Sequence, residues 1–344
     1  MTDREIEKLV LATGKLAAEL RAEADRVRHQ TVGDAVAVRG IIEFSNVCRC
    51  NCLYCGLRRD NKRLLRQRMA AEEIIETAKQ AEEMGLGTVV LQSGEDESWT
   101  AEKLAEVISE IKRQTRLAVT LSVGEREEWE YRLWREAGAD RYLLKHETAD
   151  RELYQRLHPG ASFDNRLACL ETLAELGYQV GAGCIVGLPG QTAASLVADL
   201  RLMERLNVHM AGIGPLIPHP HTPLAHMPVG SVEIVLNMLA LTRLLIPDVM
   251  LPATTALETA APGAQVVALQ SGANVIMPNI TPRHHAVAYE IYPGRRGAKL
   301  PVEAEVDRAK RVVAAAGRTL DNGPGHSPRL SGCKVWSCAT LALQ

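Results

Sequence analysis

Residues 48–55 read CRCNCLYC and concentrate four thiols in one short stretch. Cys48, Cys52 and Cys55 have the spacing C-x3-C-x2-C. Three thiolates on one loop can converge on a 4Fe–4S cube and leave one of its irons without a protein ligand. Such an open iron can chelate the amino and carboxylate groups of S-adenosylmethionine. One electron passed into the sulfonium C–S bond then gives a 5′-deoxyadenosyl radical. Tyr54, just before the third cysteine, is suited to pack on adenine. The alternative is a closed zinc site using Cys48, Cys50, Cys52 and Cys55, which lacks the usual two separated knuckles. Cys50 alternates out of phase with its neighbours and reads as a bystander. Cys169 and Cys184 fall in helix-like and strand-like patterns and read as buried core thiols. Cys333 and Cys338 lie in the tail, where two thiols are too few for a cluster of their own.

Two other motifs invite a chemical reading. GAGCIVGLPG (181–190) is glycine-rich, but its spacing fits neither phosphate-binding pattern. Its glycines therefore predict backbone room for a ligand. His219, His221 and His226 alternate with Pro218, Pro220 and Pro223, which make that loop extended and a poor metal site.

The elements that must position these residues repeat one unit. Apolar, β-branched runs lie near 39–46, 88–92, 117–123, 141–146, 179–186, 210–217, 249–255 and 274–278. Helix-period segments separate them, as in AAEEIIETAKQAEEMG, where Ile74, Ile75, Ala78 and Met84 share a face and Gly85 can end the helix. Strands alternating with helices predict a parallel sheet. Eight such units predict an α/β fold, a complete (β/α)8 TIM barrel; an open doubly wound sheet is the alternative, weakened by the lack of G-x-G-x-x-G after the first strand. The expected layout is an N-terminal helical segment at 1–34 lying over the barrel's bottom, a barrel at 35–300, and a C-terminal helix and tail at 301–344. The strand ends are polar: Gln92, Ser93 and Glu95; Ser122 and Glu125; His146 and Glu147; Thr254 and Thr255; Asn279. Barrel active sites form at that end.

Composition narrows the class. With 46% hydrophobic and 24% charged residues the chain is neither disordered nor fibrous. Forty basic against 42 acidic residues give a net charge of −2, so no bulk field favours nucleic acid or an anionic membrane. Proline and glycine interrupt the least charged stretch, 249–279, and the N-terminus is charged and amphipathic rather than signal-like. A cytoplasmic location follows as the expectation, with metal-bound or buried thiols rather than disulfides.

The cysteine motif after the first strand resembles the radical S-adenosylmethionine (radical SAM) signature. IEFSNVCRCNCLYCGLRRDN, VLQSGED, AGADRYLLKHET, GYQVGAGCIVGLPGQT, GIGPLIPHPHTPLA, LPATTA and SGANVIMPN resemble, more narrowly, the HydE-type maturases of FeFe-hydrogenase, over about residues 35–295. The resemblance implies a radical SAM enzyme that acts on an iron–cysteine complex carrying CO and cyanide, on the way to the diiron subcluster. It also implies one 4Fe–4S cluster and S-adenosylmethionine as cofactors, the maturases HydG and HydF as partners, and a low-potential electron donor such as ferredoxin or flavodoxin. The alternative is a relative acting on an organic substrate, like methylornithine synthase or biotin synthase. Some family members carry three extra C-terminal cysteines; here none lies between Cys184 and Cys333, so a second cluster is not expected. Removal of the chain beyond about residue 318 should then spare cluster and cofactor cleavage.

Residue by residue, the resemblance implies that Gln92 and Ser93 hold the methionine amino group, with Gly94 allowing close approach. Ser122, Glu147 and Arg166 become further cofactor contacts, with Arg166 on the methionine carboxylate. Met277, Tyr289 and Ile291 would wall the adenine. A substrate carboxylate would need cations and donors near the strand ends, for which Arg39, Lys145, Thr254 and Thr255 are the candidates. The family resemblance places Arg where this chain has Lys145, and lysine cannot form a bidentate fork.

Overall fold

A computed structural model describes residues 1–295 and 300–331. Its strands are β1 (Ala35–Ser45), β2 (Thr88–Ser93), β3 (Ala118–Ser122), β4 (Arg141–Leu143), β5 (Gln179–Ala182), β6 (Ile185–Val186), β7 (Met210–Ala211), β8 (Gly214–Pro215), β9 (Val275–Ile276) and β10 (Thr319–Asp321). Every strand ladder is parallel. The main sheet runs β10-β1-β2-β3-β4-β5-β7, with β9 also on β1 and a small β6-β8 sheet beyond β5 and β7. The ten residues of β1 after Ala35 are all buried, as expected of a strand covered on both faces.

The result is an α/β fold with a curled parallel sheet. A continuous eight-stranded ladder, as the sequence predicted, is not what forms. The seventh expected strand, 249–255, is reduced to single bridges, Met210 to Met250 and Pro252 to Val275. Pro252 has no N–H for a ladder, and Thr254 already caps the helix Thr255–Ala260 by accepting from the Leu257 amide at 3.3 Å. The fifth and sixth expected strands are each broken in two. Gly183, at φ +151°, stands so close to Gly212 that a Cβ there would lie 2.0 Å from its carbonyl oxygen. Thus Gly181 and Gly183 make room for neighbouring protein, not for a ligand; the Gly181 position faces Leu143 and Met210.

Outer helices dress the sheet for ordinary amphipathic reasons. In Ala71–Glu83 the buried positions Ile74, Thr77, Ala78 and Ala81 recur at three- and four-residue steps, and Gly85 follows at φ +80°. Thr100, Ser162 and Thr192 each cap the next helix with a side-chain oxygen. Fully burying each Leu or Ile contributes about 1.5–3 kcal/mol.

The N-terminal segment is two helices, Asp3–Val10 and Gly14–Val32, packed on the outer helices Ala193–Arg205 and Val232–Leu245. Arg21 fastens the second of them to Asn237 and Glu233, and the far end of that helix reaches the loops that lead into the strands, where Thr31 Oγ1 donates to the Pro247 carbonyl. The floor is also closed by the chain after β10. The Pro324 carbonyl accepts from Thr88 Oγ1 at 2.8 Å and from Arg141. The Gly325 carbonyl accepts from Arg39 at 2.9 Å, and Gln179 holds the Ser327 amide. One hydrophobic core includes residues from all three expected segments, among them Ile6, Val119 and Val306. Cys333 and Cys338 lie outside the described residues. Among the described residues no helix is long and apolar enough to cross a membrane.

Candidate active site

The cysteine loop leaves the carboxyl end of β1 and is pinned by its own neighbours. Arg66 donates to the carbonyls of Asn46 at 2.6 Å, Leu57 at 2.8 Å and Arg58 at 2.7 Å. The Gly56 amide donates to Ile291 and the Leu53 amide to Leu157, both at 2.9 Å. Gly94 is obligatory by space: a Cβ there would lie 2.3 Å from the Val47 carbonyl and 2.7 Å from Cys48 Cβ. All four loop thiols are free and half-buried. The Cys50 thiol and the backbone N–H of Glu95 pull Cys48 down to about 7 despite burial. Donating to Cys48, and burial, push Cys50 up. Burial pushes Cys52 up and Cys55 up to about 12.

Beneath the loop the curled sheet encloses a cavity of about 390 Å³. Cys55, Tyr54, Gln92, Ser93, Ser122, Glu147, Arg166, Met277, Tyr289 and Ile291 all line it, and so do Arg39, Lys145, Thr254 and Thr255. Cys48 and Cys52 are not among its lining residues.

Several lining side chains are held in place by partners. Tyr54 Oη donates to His158 Nε2 at 2.7 Å, because His158 Nδ1 faces the Tyr154 carbonyl at 2.8 Å and must carry the proton. Burial lowers His158 from its usual 6.5. Gln92 Nε2 donates to Tyr289 Oη at 3.3 Å. Ser93 Oγ donates to the Gly94 carbonyl at 2.7 Å. Arg166, in the first turn of Phe163–Glu175, is placed by the Ser162 cap. Its Nε meets Glu125 Oε1 at 2.5 Å and its Nη1 meets the Lys145 carbonyl at 2.8 Å, so part of the fork expected for a ligand is engaged with protein.

Glu147 sits at φ +65°, a left-handed conformation that a non-glycine residue adopts only under constraint. The constraint is visible: its amide donates to Gly183 and its carbonyl accepts from Ile185, both at 2.9 Å. Behind it, fully buried His146 and Asp199 pair at 3.2 Å. Lys145 Nζ lies 3.0 Å from Glu147 Oε2, yet that buried oxygen accepts no well-directed hydrogen bond. Burial raises the Glu147 carboxyl, but the Lys145 ammonium more than offsets this and leaves it below its usual 4.5.

Arg39 lies on the floor, bound to Gly325 and to Met210 Sδ at 2.9 Å. Burial and the nearby Arg141 guanidinium hold it well below the ordinary arginine value.

The sequence reading missed a second buried pair. Glu43 and Arg295 form an ion pair inside the cavity, with Asn279 Nδ2 donating to Glu43 at 2.8 Å. Arg39, Ile41 and Glu43 alternate along β1 and all face inward, so a charge in the apolar run RGIIEFSN was a usable signal. Nothing local in YPGRRG marks Arg295. His158, behind Tyr54, was also missed, because its helix is distant in sequence.

The Radical SAM superfamily model matches residues 42–203, from β1 through the Ala193–Arg205 helix. The FeFe hydrogenase maturase subunit HydE of Thermotoga maritima is 55% identical over 272 residues, 79% of this chain and 78% of that protein. The chain belongs to the HydE family of radical SAM enzymes. A 3-methylornithine synthase of Methanosarcina acetivorans is 30% identical, covering 74% of this chain and 72% of that one. The crystal structure of a methylornithine synthase superposes with a TM-score of 0.83 at 26% identity, over 93% of this chain and 94% of that chain.

Radical SAM membership implies a 4Fe–4S cluster and S-adenosylmethionine. The residues present fit both. All four loop thiols, Cys50 included, lie close enough to shift one another electrostatically, and soft thiolate donors suit an iron–sulfur centre. Glu147 lines the cavity, and its Oε2, which has the Lys145 ammonium 3.0 Å away but no well-directed hydrogen bond, can accept from an amino or hydroxyl group. In this HydE-family chain the third motif cysteine, Cys55, and Glu147 therefore line one cavity.

Proposed function

We propose that the chain takes part in maturing FeFe-hydrogenase, acting on an iron–cysteine complex with CO and cyanide ligands as substrate. The observation that carries this reading is the 55% identity to a HydE maturase over most of both chains, with Cys55 and the expected cofactor and substrate residues lining one cavity. When bound, cluster and S-adenosylmethionine supply reductive cleavage of the sulfonium C–S bond. Cys48, Cys52 and Cys55 hold the cluster. Gln92, Ser93, Glu147 and Arg166 orient the methionine end, and Ser122 adds a hydroxyl beside them. Tyr54, Met277, Tyr289 and Ile291 form the adenine wall.

Deeper in the cavity, Arg39, Lys145 and Thr255 receive the substrate's carboxylate. Thr254 contributes mainly by capping the helix that presents Thr255. The isolated bridges at Met250 and Pro252, together with β9 on β1, support a sheet that closes around this cavity as a (β/α)8 barrel. Cavity walls that exclude water protect reactive species from side reactions. HydG, HydF and a ferredoxin- or flavodoxin-type donor are the partners that this role requires.

The decisive experiment is in vitro maturation of apo-hydrogenase with HydG, HydF and this chain, run beside an S-adenosylmethionine cleavage assay. The reading predicts both activities. Thr255→Val should keep cofactor cleavage while maturation falls at limiting substrate complex, since a desolvated carboxylate loses a donor. Cleavage without any maturation by the unmodified chain would move the assignment to an organic substrate, as in methylornithine synthase.

A further inference from the structure

Outside the cavity, three metal-ligating side chains converge at the edge of the site. His284 and His285 occupy the turn Arg283–Ala286, and Glu73 lies in the first turn of Ala71–Glu83. His284 Nε2 is 3.1 Å from Glu73 Oε1, and His285 Nε2 is 2.9 Å from Glu73 Oε2. One ligand atom from each of the three lies within 4.8 Å of the others.

We propose that Glu73, His284 and His285 bind a borderline divalent cation of the zinc class, with a fourth position open to water. Zinc bonds of about 2.0–2.1 Å in tetrahedral geometry place neighbouring ligand atoms about 3.3 Å apart. The two imidazole–carboxylate separations, one to each oxygen of Glu73, are of that order, so the three side chains already stand at ligand distance from one another. Two histidines and one carboxylate are a donor set that zinc accepts with one position left open. The rings lie side by side, centroids 4.2 Å apart, with both Nε2 atoms directed at one carboxylate. His284 is exposed and His285 largely buried, which gives the ion both an entry path and a fixed anchor. The backbone is pre-set as well: Gln67 Nε2 donates to the carbonyls of His284 at 3.3 Å and His285 at 3.2 Å.

The placement gives the ion a consequence. The same segment continues to Tyr289 and Ile291, which line the cavity, and the Ile291 carbonyl holds Gly56 of the cysteine loop at 2.9 Å. A bound ion would therefore clamp the cavity wall to the helix that follows β1.

The test uses the anaerobic, fully iron-loaded protein, titrated with zinc against a chromophoric chelator while cluster absorbance is followed. One zinc should bind without loss of iron and raise the thermal midpoint. H284A and H285A should each weaken zinc binding at least about tenfold and abolish the thermal shift. E73Q should weaken it too, while H221A, an exposed histidine elsewhere, should not. X-ray absorption of the zinc-loaded protein should show nitrogen and oxygen ligands only. No zinc binding, equal affinity in the H284A/H285A double variant, or sulfur in the zinc shell would each overturn the site.

Discussion

Arg166 shows how a single side chain serves two structures at once. It is a proposed cofactor ligand, and it also neutralises Glu125 at 2.5 Å in a largely buried pair. Arg166→Ala should therefore weaken S-adenosylmethionine binding and also destabilise the fold by about 3–5 kcal/mol, because Glu125 is left buried without its partner. Calorimetric binding and chemical denaturation read the two effects separately, and an unchanged dissociation constant would remove Arg166 from the cofactor site. The cysteines make a sharper set. Cys48→Ser, Cys52→Ser and Cys55→Ser should each lose cluster iron, whereas Cys50→Ser should keep it; the reverse pattern in iron and sulfide content would reassign the ligands. His158 gives a pH dependence. Its folded value is lowered from 6.5 by burial, so the unfolded chain binds the proton more readily. Its contribution is complete above 6.5 and is lost as pH falls from there towards the folded value. Denaturation midpoints should drop over that range, and His158→Asn should show a shallower drop.

At the scale of the element, close backbone approach decides more than propensity. Gly94 joins the end of β2 to the cysteine loop, and a methyl group there meets Val47 and Cys48. Gly94→Ala should cost about 1–3 kcal/mol through overpacking and displace the loop, with iron content falling below that of the parent. Gly177→Ala is the matched contrast. Its φ of +76° is strained for alanine but nothing lies within 4 Å. It should cost about 1–2 kcal/mol and leave iron content intact.

At the scale of the molecule, the chain beyond β10 is part of the floor of the curled sheet. Removing it after residue 318 would strip Arg39 and Arg141 of the Gly325 and Pro324 carbonyls. Each buried group left unsatisfied costs about 1–3 kcal/mol, more when charged. We therefore expect that truncation to lower the thermal midpoint strongly, even where cluster and cofactor cleavage are spared as the sequence leads one to expect. His326→Ala, which removes only the partner of Arg141 and Gln179, should cost about 1 kcal/mol. Cys333→Ser with Cys338→Ser should leave the iron content per chain unchanged.

The linear chain determined its local chemistry. Cys48, Cys52 and Cys55 sit within one loop, so their spacing alone limits what they can hold, and the alternation of β-branched runs with amphipathic segments required a parallel sheet. The helix Ala71–Glu83 and its Gly85 stop were legible for the same reason, since periodicity and punctuation act within a few residues. Tertiary structure decided what depends on partners far apart in the chain. Pairing of Glu43 with Arg295, of Tyr54 with His158, and of Glu73 with His284 and His285 joins residues separated by many elements. The glycines of residues 181–190 could be seen, but not that Gly183 made room for Gly212 and Gly187 for Gly230. The tail's part in closing the floor was not legible, because it rests on carbonyl oxygens, which every residue has and no sequence pattern marks.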